Sequence, residues 1–115
     1  MDKIKAAFAG KKANIGYIVA GYPSPAHTKE FLSNLDESVI DLLEIGIPYS
    51  DPLADGPEIF KASFSAVQNG VNAGTVFEIL KEVQTRKPLV FLVYYNVIFA
   101  YGAREFVAQA ARYGI

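Results

Sequence analysis

Two kinds of apolar pattern alternate along this chain. Near-continuous apolar runs occupy Ile15 to Ala20, Val39 to Ile47 and Leu89 to Tyr95, each bounded by Gly, Pro or polar residues, which is the pattern of strands buried on both faces. Apolar residues at helical spacing fill the intervals. Ile4, Ala7 and Phe8 predict a short N-terminal helix closed by Gly10. Phe31, Leu32 and Leu35 predict a helix that starts with Ser24 as N-cap and Pro25 in its first turn, and fades between Asn34 and Glu37. Ile59, Ala62, Ser63, Ala66 and Val67 mark a helix closed by Gly70, and Asn72 caps another that carries Val76, Phe77, Leu80 and Val83. A last helix holds Phe106, Val107, Ala110 and Ala111 and stops at Gly114.

Strands of this kind alternating with helices imply βαβ units and a parallel sheet covered on both faces. Such units build either a barrel or a doubly wound sheet. The first strand lacks the G-x-G-x-x-G loop of the dinucleotide fold. An α/β barrel has eight units and about 250 residues. Residues 1–115 would then form the N-terminal portion of a single barrel domain, with roughly its first three βα units.

Composition narrows the partners. Eleven Lys and Arg against twelve Asp and Glu give a net charge of -1, so no basic face is signalled for nucleic acid. The absence of Cys and the single His exclude a thiolate metal site and an imidazole cluster, and fit a reducing compartment. The first ten residues are too charged for a signal peptide, and no apolar run approaches the ~20 residues of a membrane span. A cytoplasmic protein without membrane contact is expected.

Candidate chemistry gathers at the second strand and the loop after it. Alternation puts Leu42, Glu44 and Gly46 on one face and Leu43, Ile45 and Ile47 on the other, so Glu44 is a carboxylate in an apolar strand. It must be paired, kept near water, or protonated through a raised pKa, and the last condition suits a general acid. A structural ion pair at a strand end accounts for it equally well. The segment Pro48 to Pro57 holds three Pro and one Gly, which excludes helix or central strand there. It follows the carboxyl end of a strand, where α/β proteins bind ligands, and it carries Asp51 and Asp55. Turn formation explains Asp51 better than chemistry does, and Asp55-Gly56-Pro57 also reads as a turn before a helix. By the same parity Tyr17 and Val19 share one face, as do Val90, Leu92, Tyr94 and Asn96. Either an aromatic-lined pocket or plain core packing fits them. His27 reads as a solvated residue in a first helical turn.

One stretch is far more specific. Leu43-Glu44-Ile45-Gly46-Ile47-Pro48-Tyr49-Ser50-Asp51-Pro52-Leu53-Ala54-Asp55-Gly56-Pro57 resembles the tryptophan synthase alpha-subunit signature L-E-[LI]-G-[VI]-P-[FY]-S-D-P-x-A-D-G-P. Ala20-Gly21-Tyr22-Pro23 and Tyr94-Tyr95-Asn96 fall where that family ends its first and third strands. The resemblance implies a (β/α)8 TIM barrel and a lyase of tryptophan biosynthesis that cleaves indole-3-glycerol phosphate to indole and glyceraldehyde 3-phosphate. It implies that Glu44 is the general acid and base, that Asp55 faces the indole N–H, and that Tyr17, Leu92 and Tyr94 line the indole pocket. It also implies a beta-subunit partner in an alpha2-beta2 heterotetramer. Pyridoxal phosphate belongs to that partner, with no cofactor in this chain. The loop from Tyr49 to Gly56, the helix after it and Asn96 are implied to lie in the region that meets the partner.

Phe60, Ser65 and Val19 depart from the family's usual Gln, Arg and Thr, which bears on loop anchoring and regulation. The family's phosphate site is built by later loops that this sequence does not contain, so the chain by itself is expected to be inactive. Two rival readings are a non-catalytic partial barrel that associates with itself or with the missing part, and another phosphate-binding barrel enzyme. The acidic loop from Ser50 to Pro57 argues against the second rival.

Overall fold

The computed structural model describes residues 2–115, and Met1 lies outside the described residues. Three parallel strands, β1 (Ile15–Val19), β2 (Leu42–Gly46) and β3 (Leu89–Leu92), form one sheet in the order β1-β2-β3. Helix α1 (Asp2–Phe8) precedes the sheet, and α2 (Pro25–Ser33) with a 3-10 turn (Leu35–Glu37) links β1 to β2. Helices α3 (Pro57–Gln68) and α4 (Ala73–Lys81) link β2 to β3, and α5 (Tyr95–Tyr101) and α6 (Ala103–Arg112) follow.

Local chemistry sets the helix starts. Ser24 caps α2 by accepting the His27 N–H at 3.3 Å, with Pro25 in the first turn. Asn72 and Thr75 form a reciprocal capping box on α4. The 3-10 turn occupies the stretch where the apolar stripe of α2 fades.

The two faces of the sheet differ. Leu43 and Ile45 are fully buried in the layer that includes Leu32, Leu35, Ala66, Val76 and Leu80, so this face is covered by helices. Phe77 of α4 is the centre of that layer beyond β3, with ring centroids at 5.8 Å from Phe91, 5.4 Å from Tyr101 and 5.3 Å from Phe106. Edge and tilted ring contacts of this kind hold α4, β3, α5 and α6 together. The opposite face carries two rows across the sheet: Tyr17, Glu44 and Val90 in register, then Val19, Gly46 and Leu92. This face is partly open among the described residues: Ile15 and Leu92 are 51% and 55% exposed, while Leu42 and Val19 are buried.

Two strand expectations need correction. The apolar run from Val39 does not pair until Leu42, and Val39 is 81% exposed. The Lys87 ammonium donates to the carbonyls of Ser38 and Ile40, and the Ser38 hydroxyl accepts the Ile40 N–H at 3.1 Å, so this backbone is satisfied without a ladder. The run to Tyr95 is also not all strand. β3 stops at Leu92, Tyr94 is the N-cap of α5, and its carbonyl accepts the Val97 N–H at 3.0 Å. Tyr94 and Asn96 therefore do not share a strand face with Val90 and Leu92. Helix α5 was hidden because Tyr95, Val97, Ile98 and Phe99 are strand-favouring types, and packing of Val97, Ile98 and Tyr101 against the core overrides that preference.

The amino ends of the strands are laced by carboxylates. Asp36 accepts hydrogen bonds from the Thr85 hydroxyl and, at 3.0 Å, from the Arg86 N–H, and these hold its carboxyl below the usual value. Asp41 is held low by the Lys11 ammonium at 2.5 Å and the Asn14 N–H at 2.9 Å. A carboxylate whose folded pKa is depressed contributes stability that is complete above its unfolded pKa of about 3.9 and is lost as pH falls through the depressed folded value. Urea midpoints measured downward from about pH 6 should therefore fall in the acid range, below about pH 4, and Asp36→Asn should flatten that fall. An Asp36→Asn profile parallel to that of the unmodified chain would show that these bonds carry no pH-dependent stability.

Candidate active site

The carboxyl ends of the strands and the loop after β2 enclose an apolar cavity of about 330 Å³. Tyr17 and Val19 come to it from β1, Gly46 from β2 and Leu92 from β3; Tyr94 closes one side, and Ala54 and Asp55 of the loop cover it. The structure thus brings Tyr17, Leu92, Tyr94 and Asp55 to one space. Glu44 is not on that wall. It lies one row toward the amino end of β2, half-buried and in register with Tyr17, on the same open face.

Tyr17 joins the two carboxylates. Burial is the largest cause that raises its phenol above the ordinary value, and the negative charges of Asp55 and Glu44 add to it in that order, followed by Tyr94. The Tyr17 phenol therefore feels both an exposed loop carboxylate and a half-buried strand carboxylate. The ion pairs among the described residues, Lys11–Asp41, Lys29–Glu82 and Arg86–Asp36, all leave Glu44 out. Within this part of the fold, the structural-pair reading of Glu44 finds no partner.

Space for Tyr17 depends on one glycine. A Cβ on Gly46 would lie 2.1 Å from the Tyr17 hydroxyl oxygen and 2.8 Å from the ring carbon that bears it. The tyrosine leans along the sheet over Gly46, which has no side chain to obstruct it. Periodicity puts Gly46 on the same face as Glu44 but does not reveal this contact.

The loop is tied at its root. Ser63 of α3 accepts the Tyr49 N–H at 3.0 Å and donates to the Tyr49 carbonyl at 3.1 Å. The Tyr49 and Tyr94 rings pack with centroids 4.9 Å apart, and the Asn96 amide donates to the Tyr49 hydroxyl at 3.0 Å. Sequence reading missed Ser63 and Tyr49 as site residues; Ser63 stood only as a polar member of an otherwise apolar helix stripe. Asp51 takes a hydrogen bond from its neighbour Ser50 at 2.9 Å, in keeping with a turn role. The His27 ring lies 2.7 Å from the Ser24 hydroxyl in an exposed helix start, away from the cavity. Among the described residues no group of three His, Cys, Asp or Glu is placed to hold a metal.

Residues 4–115 match the family described as Tryptophan synthase alpha chain. The chain belongs to the tryptophan synthase alpha chain family. It is 48% identical over 108 residues to the Campylobacter jejuni alpha chain, covering 94% of this chain and 43% of that one. It is 45% identical over 117 residues to the Petrotoga mobilis alpha chain, with coverage of 100% and 45%. The solved C. jejuni alpha subunit superimposes with a TM-score of 0.88 at 48% identity, over 94% of this chain and 44% of that one. A chain of the Pyrococcus furiosus tryptophan synthase complex does so at 0.82 and 39%, over 90% and 43%. The chain spans under half the length of the curated relatives it matches. Its fold is a partial (β/α)8 barrel, and the open face of the sheet is the face that looks into the barrel.

Gly46→Ala should destabilise the chain by about 1–3 kcal/mol, the usual cost of forcing extra volume into a packed site. In a Tyr17→Ala background most of that cost should vanish, since the colliding ring is gone. Thermal unfolding of the four chains closes the cycle, and additive losses would mean that Tyr17 and Gly46 do not contend for the same space.

Proposed function

We propose that this chain carries the catalytic carboxylates of a lyase that cleaves indole-3-glycerol phosphate to indole and glyceraldehyde 3-phosphate. The observation that carries the reading is that Asp55 and Tyr17 line one apolar cavity while Glu44 lies in register beside Tyr17 on the same sheet face, one row below it. An apolar, aromatic-walled space suits an indole ring, and a few polar groups at its edge suit the orientation of one substrate.

The chemistry is a retro-aldol cleavage. Glu44, as general acid, delivers a proton to indole C3, and positive charge develops on the ring. Asp55 stabilises that charge at the ring N–H, an interaction stronger in the transition state than in the bound substrate. The bond from C3 to the glycerol chain then breaks, its electron pair returns to the ring, and the glycerol hydroxyl gives its proton to Glu44 as the aldehyde forms. One proton enters and one leaves, so Glu44 ends as it began. Tyr17, Leu92 and Tyr94 hold the ring.

Relatives in solved structures are chains of tryptophan synthase complexes, which supports a beta subunit as the partner of this chain. Pyridoxal phosphate is assigned to that partner, and the steps given to this chain's residues use proton transfer and charge alone. A cytoplasmic enzyme of tryptophan biosynthesis is the corresponding setting.

In a chain extended to the relatives' full length, Glu44→Gln should keep the fold and lower turnover by about 10²–10⁴-fold, the usual contribution of a general acid. Retention of more than about a tenth of the activity would remove Glu44 from that role. Asp55→Asn should lower kcat with little change in KM. A rise in KM at constant kcat would make Asp55 a binding group instead.

A further inference from the structure

The Tyr94 hydroxyl has partners that lining a cavity does not require. It accepts the Leu53 N–H at 3.0 Å and lies 3.5 Å from the Ala54 N–H, 41 and 40 residues away in sequence. Tyr94 itself is fixed from behind: its ring rests on Tyr49, whose backbone is bonded twice to Ser63 and whose hydroxyl is held by Asn96. The loop has no such support of its own. Leu53 is 90% exposed, Asp55 is exposed, and no other hydrogen bond reaches residues 53–55 among the described residues.

We propose that Tyr94 is a positioning residue whose hydroxyl latches the Leu53–Ala54 backbone over the cavity and thereby sets where the Asp55 carboxylate stands. The ring of Tyr94 and its oxygen then have separate tasks, since the ring lines the pocket and the oxygen holds the loop. Asp55 follows the latched peptide directly, so its carboxylate has few torsions left in which to wander. The influence of Asp55 on the Tyr17 phenol is what a loop held down over the cavity produces. The latch stands on geometry alone, and its kinetic consequence rests on the role proposed for Asp55.

Amide hydrogen exchange read residue by residue tests the latch without reference to turnover. In the unmodified chain the Leu53 N–H should exchange more slowly than the N–H of exposed Asp51, and Tyr94→Phe should speed Leu53 exchange about tenfold or more while the core amides stay protected. Leu53 exchange as fast as that of Asp51 in the unmodified chain would overturn the proposal even if Tyr94→Phe failed to fold, and so would Leu53 protection unchanged by Tyr94→Phe. The kinetic arm uses the full-length form. Tyr94→Phe should lower kcat in the direction of Asp55→Asn with a smaller change in KM, and the double variant should be no slower than Asp55→Asn alone. Losses that multiply would show that Tyr94 does not act through Asp55. Normal kcat in Asp55→Asn would instead refute the proposed role of Asp55, and the exchange data alone would then decide the latch.

Discussion

The structure depends on the two-residue alternation of side chains along β2. Leu43 and Ile45 face a layer of helices and lose all contact with water, while Leu42, Glu44 and Gly46 face the barrel interior. A shift of register by one residue would bury the Glu44 carboxylate among Leu32, Leu35 and Val76 and expose the leucine and isoleucine that hold the helices. The cost of desolvating an unpaired carboxylate in such a layer forbids that register. The apolar partners of Leu43 and Ile45 thus determine where the acid points.

Once that face is set, neighbouring rows follow from parallel pairing. Tyr17 is brought beside Glu44, and Gly46 leaves room for its ring. The cavity above is apolar because its walls come from strand residues and loop-root aromatics. Its one lining carboxylate is Asp55 of the loop, with Glu44 one row below on the same sheet face.

The two ends of the sheet are held by different means. At the amino ends, Asp36, Asp41 and Lys87 satisfy backbone groups, which fixes strand starts and depends on ionisation. At the carboxyl ends, neutral groups hold the loop root: Ser63 on Tyr49, Tyr49 on Tyr94, Asn96 on Tyr49. Neutral hydrogen bonds add no charge beside the Asp55 carboxylate at the cavity.

Read alone, the sequence determined the strand cores, the helix starts at Ser24 and Asn72, the glycine and proline punctuation and the face on which Glu44 lies. Each of these rests on neighbours two to four residues apart, through alternation, capping or fixed backbone angles. The fifteen-residue stretch from Leu43 to Pro57 also placed the chain in its family. Tertiary structure alone decided where β2 begins and β3 ends, that Tyr95 to Tyr101 is helical, that Gly46 lies under Tyr17, and that Leu53 hangs from Tyr94. Valine, isoleucine and tyrosine fit either a strand or a packed helix, so the partner that buries them chooses. A lysine that captures carbonyls 47 and 49 residues away, or a phenol that meets an N–H 41 residues away, leaves no periodic trace in the chain, because contacts of that range exist only once the sheet has brought their elements together.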